Sequence, residues 1–174
     1  HDDGRPKPRL LVAARRARSP CNLLAAASDL ILIHYALGEP QAAREVSGYL
    51  VSHPEELPPA ALPRARTAIA LGHLAAGEID EAVAWLERDG DAPRPEHERV
   101  AFWAWLRTRC ALARGDAAGA RALAEKTLAE RARQGHADGA FDLMELHRAL
   151  ADACERLGDA AAALACVRRA QQLY

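Results

Sequence analysis

The side chains here that could do chemistry are a pair of histidines in equivalent settings, four cysteines and two tryptophans placed two apart. His34 and His73 each stand four residues before a glycine, Gly38 and Gly77. Imidazoles at repeated positions are what a shared metal or ligand would need. The two other glycines in the same setting, Gly115 and Gly158, have Ala111 and Cys154 at that place, and no carboxylate recurs beside the histidines as a further ligand. Each histidine is therefore expected to fill a slot between helices, and no metal or cofactor is expected. His97-Glu98, His136-Asp138 and Glu145-His147 read as capping or solvated groups near helix starts.

Cys21, Cys110, Cys154 and Cys166 show no CxxC spacing and fall in apolar helical stretches, which predicts buried thiols of a reducing compartment. Cys154 and Cys166 belong to the two helices of one hairpin, and packing accounts for both. Trp103 and Trp105 point about 200° apart on a helix, so they cannot face one neighbour. One is expected in the core and the other exposed.

The catalytic patterns are missing. There is no HExxH, no G-x-S-x-G and no dinucleotide glycine run. Gly115 to Thr127 looks faintly like a phosphate loop, with Gly119 and Lys126-Thr127, but its glycine and lysine are not adjacent and it has helical amphipathicity. With no convergent acid, base, nucleophile or metal set, the chain is expected not to be an enzyme, and any catalysis would lie in a domain outside it. The net charge of −1, from 23 basic and 24 acidic residues, gives no field to attract nucleic acid. A local excess of Arg5, Lys7, Arg9, Arg15, Arg16 and Arg18 has no aromatic between its cations for base stacking, and reads as a solvated start. The Leu30 to Leu37 stretch is far too short to span a bilayer, and no apolar run approaches that length. A cytoplasmic protein with neither nucleic-acid nor membrane partner is expected.

The elements that must position these residues follow from the glycines. Leu37-Gly38-Glu39, Ala76-Gly77-Glu78, Arg114-Gly115-Asp116 and Leu157-Gly158-Asp159 each read as a helix end followed by a new start. Their separations of 39, 38 and 43 residues, by subtraction of these numbers, are a helix-hairpin period. Five residues after each glycine stands an alanine, Ala43, Ala82, Ala120 or Ala163, where the second helix must cross close to the first. First helices are expected over about 22–37, 58–76, 95–114 and 137–157, and amphipathic second helices after each glycine. Pro54, Pro58, Pro59, Pro93 and Pro95 punctuate the joins. The expected organisation is a disordered or extraneous start over 1–7 and one helical repeat domain over 8–174, with units at about 22–54, 58–90, 95–134 and 137–174. A capping helix is expected over 8–18. The apolar face left uncapped at Tyr174 suggests a natural protein that continues further.

Leu150-Ala151, Cys154, Gly158-Asp159, Ala163, Val167 and Ala170, with Ile69-Ala70, His73, Gly77, Ala82 and Leu86, resemble tetratricopeptide repeats. The period is longer than usual, and Arg107-Thr108 stands where Leu-Gly is usual. The resemblance implies an all-α fold, a right-handed superhelix of antiparallel helix hairpins with about four repeats and an N-terminal capping helix. In its register a concave face carries Leu32, Tyr35, Leu71, Leu74, Trp105, Arg109, Leu112, Arg148, Asp152 and Glu155. That face suits recognition of a protein or peptide segment, with self-association as a further option. The carboxylate clamp of chaperone-binding relatives is not reproduced, since Ser28, Leu32, Thr67 and Leu71 hold the corresponding positions. The stretch from Glu145 to Tyr174 resembles helical regions of bacterial signalling proteins, those preceding diguanylate cyclase domains and those of large ATP-binding transcriptional activators. The implied role is a regulatory interaction module, placed N-terminal to a cyclase output domain in the first of these relatives; the alternative is a sensor domain of an activator that binds a small inducer.

Overall fold

The computed structural model describes residues 20–57, 59–88, 100–134 and 140–173. The expected capping helix over 8–18, His97, His136, Asp138 and Tyr174 lie outside them. Among the described residues the chain is all-helical, with α1 (Pro20–Leu37), α2 (Pro40–Ser52), α3 (Leu62–Ala75), α4 (Ile79–Glu87), α5 (Val100–Ala113), α6 (Ala117–Gln134), α7 (Ala140–Arg156) and α8 (Ala160–Gln172). Short 3-10 turns at Pro54–Glu56 and Pro59–Ala61 join α2 to α3. The prolines there have no N–H to give and leave the helix interiors alone. Pro40 sits in the first turn of α2, where that missing donor costs nothing.

The four glycines turn the chain in one way. Gly38, Gly77, Gly115 and Gly158 have φ of 69°, 78°, 82° and 78°. Each donates its N–H to the carbonyl three residues back, and the following acidic residue donates to the carbonyl five back, as in Asp116 N to Ala111 O at 2.9 Å and Asp159 N to Cys154 O at 2.9 Å. This is the Schellman arrangement, which satisfies the last carbonyls of the first helix and needs a left-handed residue that glycine alone adopts freely. The new helix then begins on the carbonyl of the acidic residue, accepted from Ala43, Ala82, Ala120 and Ala163. Three of those alanines, Ala43, Ala82 and Ala120, are fully buried.

The chain divides into two compact units, one ending at Trp85 and the other beginning at Leu86. In the first unit α1 packs on α2 and α3, and α2 packs on α3. Its core holds Leu23, Leu24, Ile31, Val46, Leu50, Ile69 and Leu71. α2 and α3 approach closely at Gly72 of α3, where an added Cβ would lie 2.4 Å from both Cβ and Oγ of Ser47 on α2. In the second unit α5 packs on α6 and α7, α6 on α7, and α7 on α8. Phe102, Trp105, Leu106, Leu146 and Cys154 fill its core, and Leu112, Ala120 and Ala153 meet where three helices converge.

Candidate functional site

The histidines have a partner that spacing alone did not disclose. His34 Nδ1 lies 2.7 Å from Glu39 Oε2, and His73 Nδ1 lies 2.7 Å from Glu78 Oε2. Each pair spans the glycine turn, from the last turn of the first helix to the residue that opens the second. The expectation that no carboxylate recurs beside these histidines is corrected: it recurs five residues on, brought round by the turn. In the second unit the residue after the glycine is Asp, one methylene shorter, and it serves its own helix. Asp116 Oδ1 accepts from Gly119 N at 2.8 Å and Asp159 Oδ1 from Ala162 N at 3.0 Å, as helix caps do. Glu thus accompanies histidine across the turn, and Asp accompanies Ala111 or Cys154.

The same acidic residues tie one hairpin to the next. Arg44 on α2 reaches Glu78 Oε1 at 2.6 Å, and Arg121 on α6 reaches Asp159 Oδ2 at 3.0 Å. Both arginines stand six residues after their glycine and both acids stand one after the next glycine of their unit. The Asp159 carboxyl is held below the usual carboxylate range by the Ala162 N–H and by Arg121. Arg156 adds a second tie, donating from Nη1 to the Leu112 carbonyl at 2.6 Å where α5 ends.

The residues expected on a binding face all belong to first helices of hairpins, three, six or ten residues before the glycine. In the first unit Leu71 is buried, whereas Leu32, Tyr35 and Leu74 keep part of their surface. In the second unit Arg109 on α5 and Asp152 on α7 meet at 2.6 Å, with side chains 34% and 47% exposed, so the structure brings together two residues equivalent in register. Arg148 is exposed and holds Glu145 on its own helix at 2.6 Å, and Glu155 is exposed. Trp105 and Leu112, on the same helix as Arg109, are both 2% exposed.

The expected split of the tryptophans is present, and Trp105, expected on the binding face, is the buried one. Trp105 packs its ring against Phe102, centroids 5.2 Å apart, in the core of the second unit. Trp103 keeps part of its surface and carries the Arg107 guanidinium 5.3 Å above its ring. Position in the repeat alone does not rank two neighbouring indoles for burial, because Phe102 one position earlier supplies the wall that Trp105 needs. Among the described cysteines Cys110 and Cys154 are buried and Cys166 is half-buried, all reduced. Burial pushes the Cys110 thiol up to about 11, against the pull of Arg114 and Arg107. His147 is half-buried on α7, its Nδ1 enclosed without a hydrogen-bond partner, and burial and Arg169 lower its pKa. Gly119 and Lys126-Thr127, the faint phosphate-loop resemblance, lie within α6. Among the described residues no group of three His, Cys, Asp or Glu is placed to hold a metal, and no helix is long and apolar enough to cross a membrane.

No curated protein matches the chain. Residues 58–88 and 144–169 match the tetratricopeptide repeat family, and each matched stretch runs through a first helix, its Schellman glycine and a second helix: α3 with α4, and α7 with α8. These two hairpins are similar to tetratricopeptide repeats, and among the described residues the chain is all-helical, its other two glycine turns having the same geometry.

Proposed function

We propose that the chain is a protein-binding module whose first-helix face receives a peptide or helix of another protein. Tetratricopeptide repeats generally mediate protein–protein interaction. The observation that carries this reading to particular residues is the Arg109–Asp152 pair. Two opposite charges at equivalent positions of neighbouring first helices meet at the surface, both partly exposed. A half-exposed pair of this kind adds little to stability, and its guanidinium and carboxylate are available to a partner's backbone and side chains. In the first unit the same register offers Leu32, Tyr35 and Leu74, an apolar and aromatic surface. Trp105, Leu112 and Leu71, expected on the same face, are buried.

The wider setting we propose is regulatory, a module of a bacterial signalling protein acting on an output domain, with the resemblance of residues 145–174 as its support. The test begins with selection of binding peptides from a displayed random library against the chain. Peptides bound by the first unit should be weakened by Leu74→Asp and those bound by the second by Arg109→Glu, each at least about tenfold, a loss of about 1.4 kcal/mol, while far-UV circular dichroism stays unchanged. Selected peptides that bind both variants as well as the parent chain would remove the face from consideration.

A further inference from the structure

Two thiols meet inside the last hairpin. Cys154 stands four residues before Gly158 on α7, and Cys166 eight residues after it on α8, the helix that packs on α7. Each Cα–Cβ bond leans toward the N-terminus of its own helix, which carries the Cys154 side chain away from the turn and the Cys166 side chain toward it, so the two converge. By the helical period Cys166 shares the inward side of α8 with Ala163 and Ala170, and Ala170 is 3% exposed. The Cys166 thiol is accordingly within hydrogen-bonding reach of the Cys154 thiol, with Cys154 buried and Cys166 half-buried. At the same two places the other hairpins have His34 with Val46, His73 with Trp85 and Ala111 with Leu123, so among the four only this one sets two thiols face to face.

A third group completes the cluster. Arg121 on α6, held by Glu125 at 2.8 Å and Asp159 at 3.0 Å, interacts electrostatically with both sulfurs. Burial, the Cys154 thiol and Glu125 push the Cys166 thiol up, and the Arg121 guanidinium pulls it down, favouring the thiolate. Cys166 is also the member of the pair that keeps surface open to an oxidant. The chemistry such a pair offers is oxidation in two steps. The Cys166 thiolate attacks one oxygen of a hydroperoxide, the O–O bond breaks, and the other oxygen leaves and takes up a proton; Cys166 is then a sulfenic acid. The Cys154 sulfur attacks the Cys166 sulfur, the S–O bond breaks, and the hydroxyl leaves as water with the Cys154 proton. Two thiols are oxidised to one disulfide while the hydroperoxide is reduced to an alcohol and water.

We infer that Cys154 and Cys166 are a redox pair, which a hydroperoxide closes to a disulfide between α7 and α8 and a thiol reductant reopens. This inference does not rest on the proposed binding face. The bridge restricts the unfolded chain more than the folded one, in which the two sulfurs are already neighbours, so closing it stabilises the hairpin. The test treats the reduced, folded chain with hydrogen peroxide at about pH 8.5, where more thiolate is present than at neutrality. The chain is then alkylated and digested without reductant by trypsin, which cuts after Arg156 between the two cysteines, and the peptides are mapped by mass spectrometry. The expected product is a linked pair of peptides joining Cys154 to Cys166, lighter by two hydrogens than the separate peptides and released by dithiothreitol. The thermal midpoint of the oxidised chain should lie about 5 °C or more above that of the reduced chain. Cys166→Ser, at a half-buried position, should lose both the link and the rise; Cys154→Ala is read in the same way if the first variant fails to fold. A link formed only in urea, or Cys154 still fully alkylated beside a Cys166 oxidised to sulfinic acid, would overturn the inference by showing that the folded hairpin keeps the sulfurs apart. A midpoint lowered by the link, or raised equally in Cys166→Ser, would overturn it as well.

Discussion

Gly72→Ala and Gly48→Ala replace glycine by alanine inside helices of one unit and should move stability in opposite directions. In an exposed helix interior alanine is favoured over glycine by about 0.5–1 kcal/mol, because it loses less backbone freedom on folding. Gly48 on α2 is such a site: a Cβ there meets nothing within 4 Å. Gly72 on α3 gains the same propensity term but sets its Cβ 2.4 Å from Ser47 Cβ and 3.3 Å from the Ala43 carbonyl. Carbon atoms rest at about 3.5–4.0 Å, so α2 and α3 must separate by roughly 1 Å or more. Ser47 Cβ is fixed to its backbone, so rotating the hydroxyl relieves only part of the overlap. Overpacking of this kind costs about 1–3 kcal/mol, which outweighs the propensity gain and leaves Gly72→Ala about 1–2 kcal/mol less stable than the parent chain. Urea unfolding followed by far-UV circular dichroism gives both differences. Adding Ser47→Gly to Gly72→Ala removes the obstructing Cβ and should recover part of the loss, a coupling that a double-mutant cycle isolates. A Gly72→Ala chain as stable as the Gly48→Ala chain would show that α2 and α3 do not approach as described.

Trp105→Ala should destabilise the second unit by about 3–5 kcal/mol and Trp103→Ala by about 1 kcal/mol or less, measured by urea unfolding, since one indole is core and the other partly exposed beneath Arg107. His147 has a folded-state pKa lowered from the ordinary 6.5, so the unfolded chain binds the proton better. Stability should therefore be full above that ordinary value and fall as the pH drops below it, and His147→Leu should flatten the dependence of the thermal midpoint between neutral and mildly acidic pH. With its thiol pushed up to about 11 from 9.0, Cys110 carries on the order of a hundredth of the ordinary thiolate fraction near pH 8. Iodoacetamide followed by peptide mass mapping should label Cys166 before Cys110 in the folded chain and lose that order in urea.

Most of the fold could be read from the sequence, because the signal was local. A glycine between an apolar run and an acid dictates a left-handed turn whatever surrounds it, and all four such glycines have positive φ. The helices between them follow from residues whose intrinsic preference already agrees with the outcome. The ion pairs were hidden for the opposite reason. Arg121 and Asp159 are 38 residues apart and meet only after three helices have packed, so no window of sequence contains their relation. Glu39 and Glu78 lay within five residues of their histidines, but the pairing depends on the turn reversing the chain, and a side-by-side search for ligands looks past it. The tryptophans failed at a finer level: both lie on the helix that was expected, and only the neighbouring Phe102 decides which one goes inside.

The arginine that stands six residues after a glycine also limits how such an array can grow. Glu78 and Asp159 each find a guanidinium waiting on the preceding hairpin of their unit. A tandem duplication of the last hairpin would set the new copy's acid against the hydrocarbon of Leu164, a charge brought to an interface without its counterion. Hairpins of this chain are therefore not interchangeable cassettes. Glu78 and Asp159 each meet the arginine of the hairpin before them, whereas Asp116 follows a hairpin with Val83 at that position, so a gene lengthened by copying would need an arginine at position 164 only to repeat the tie that the second and fourth hairpins make.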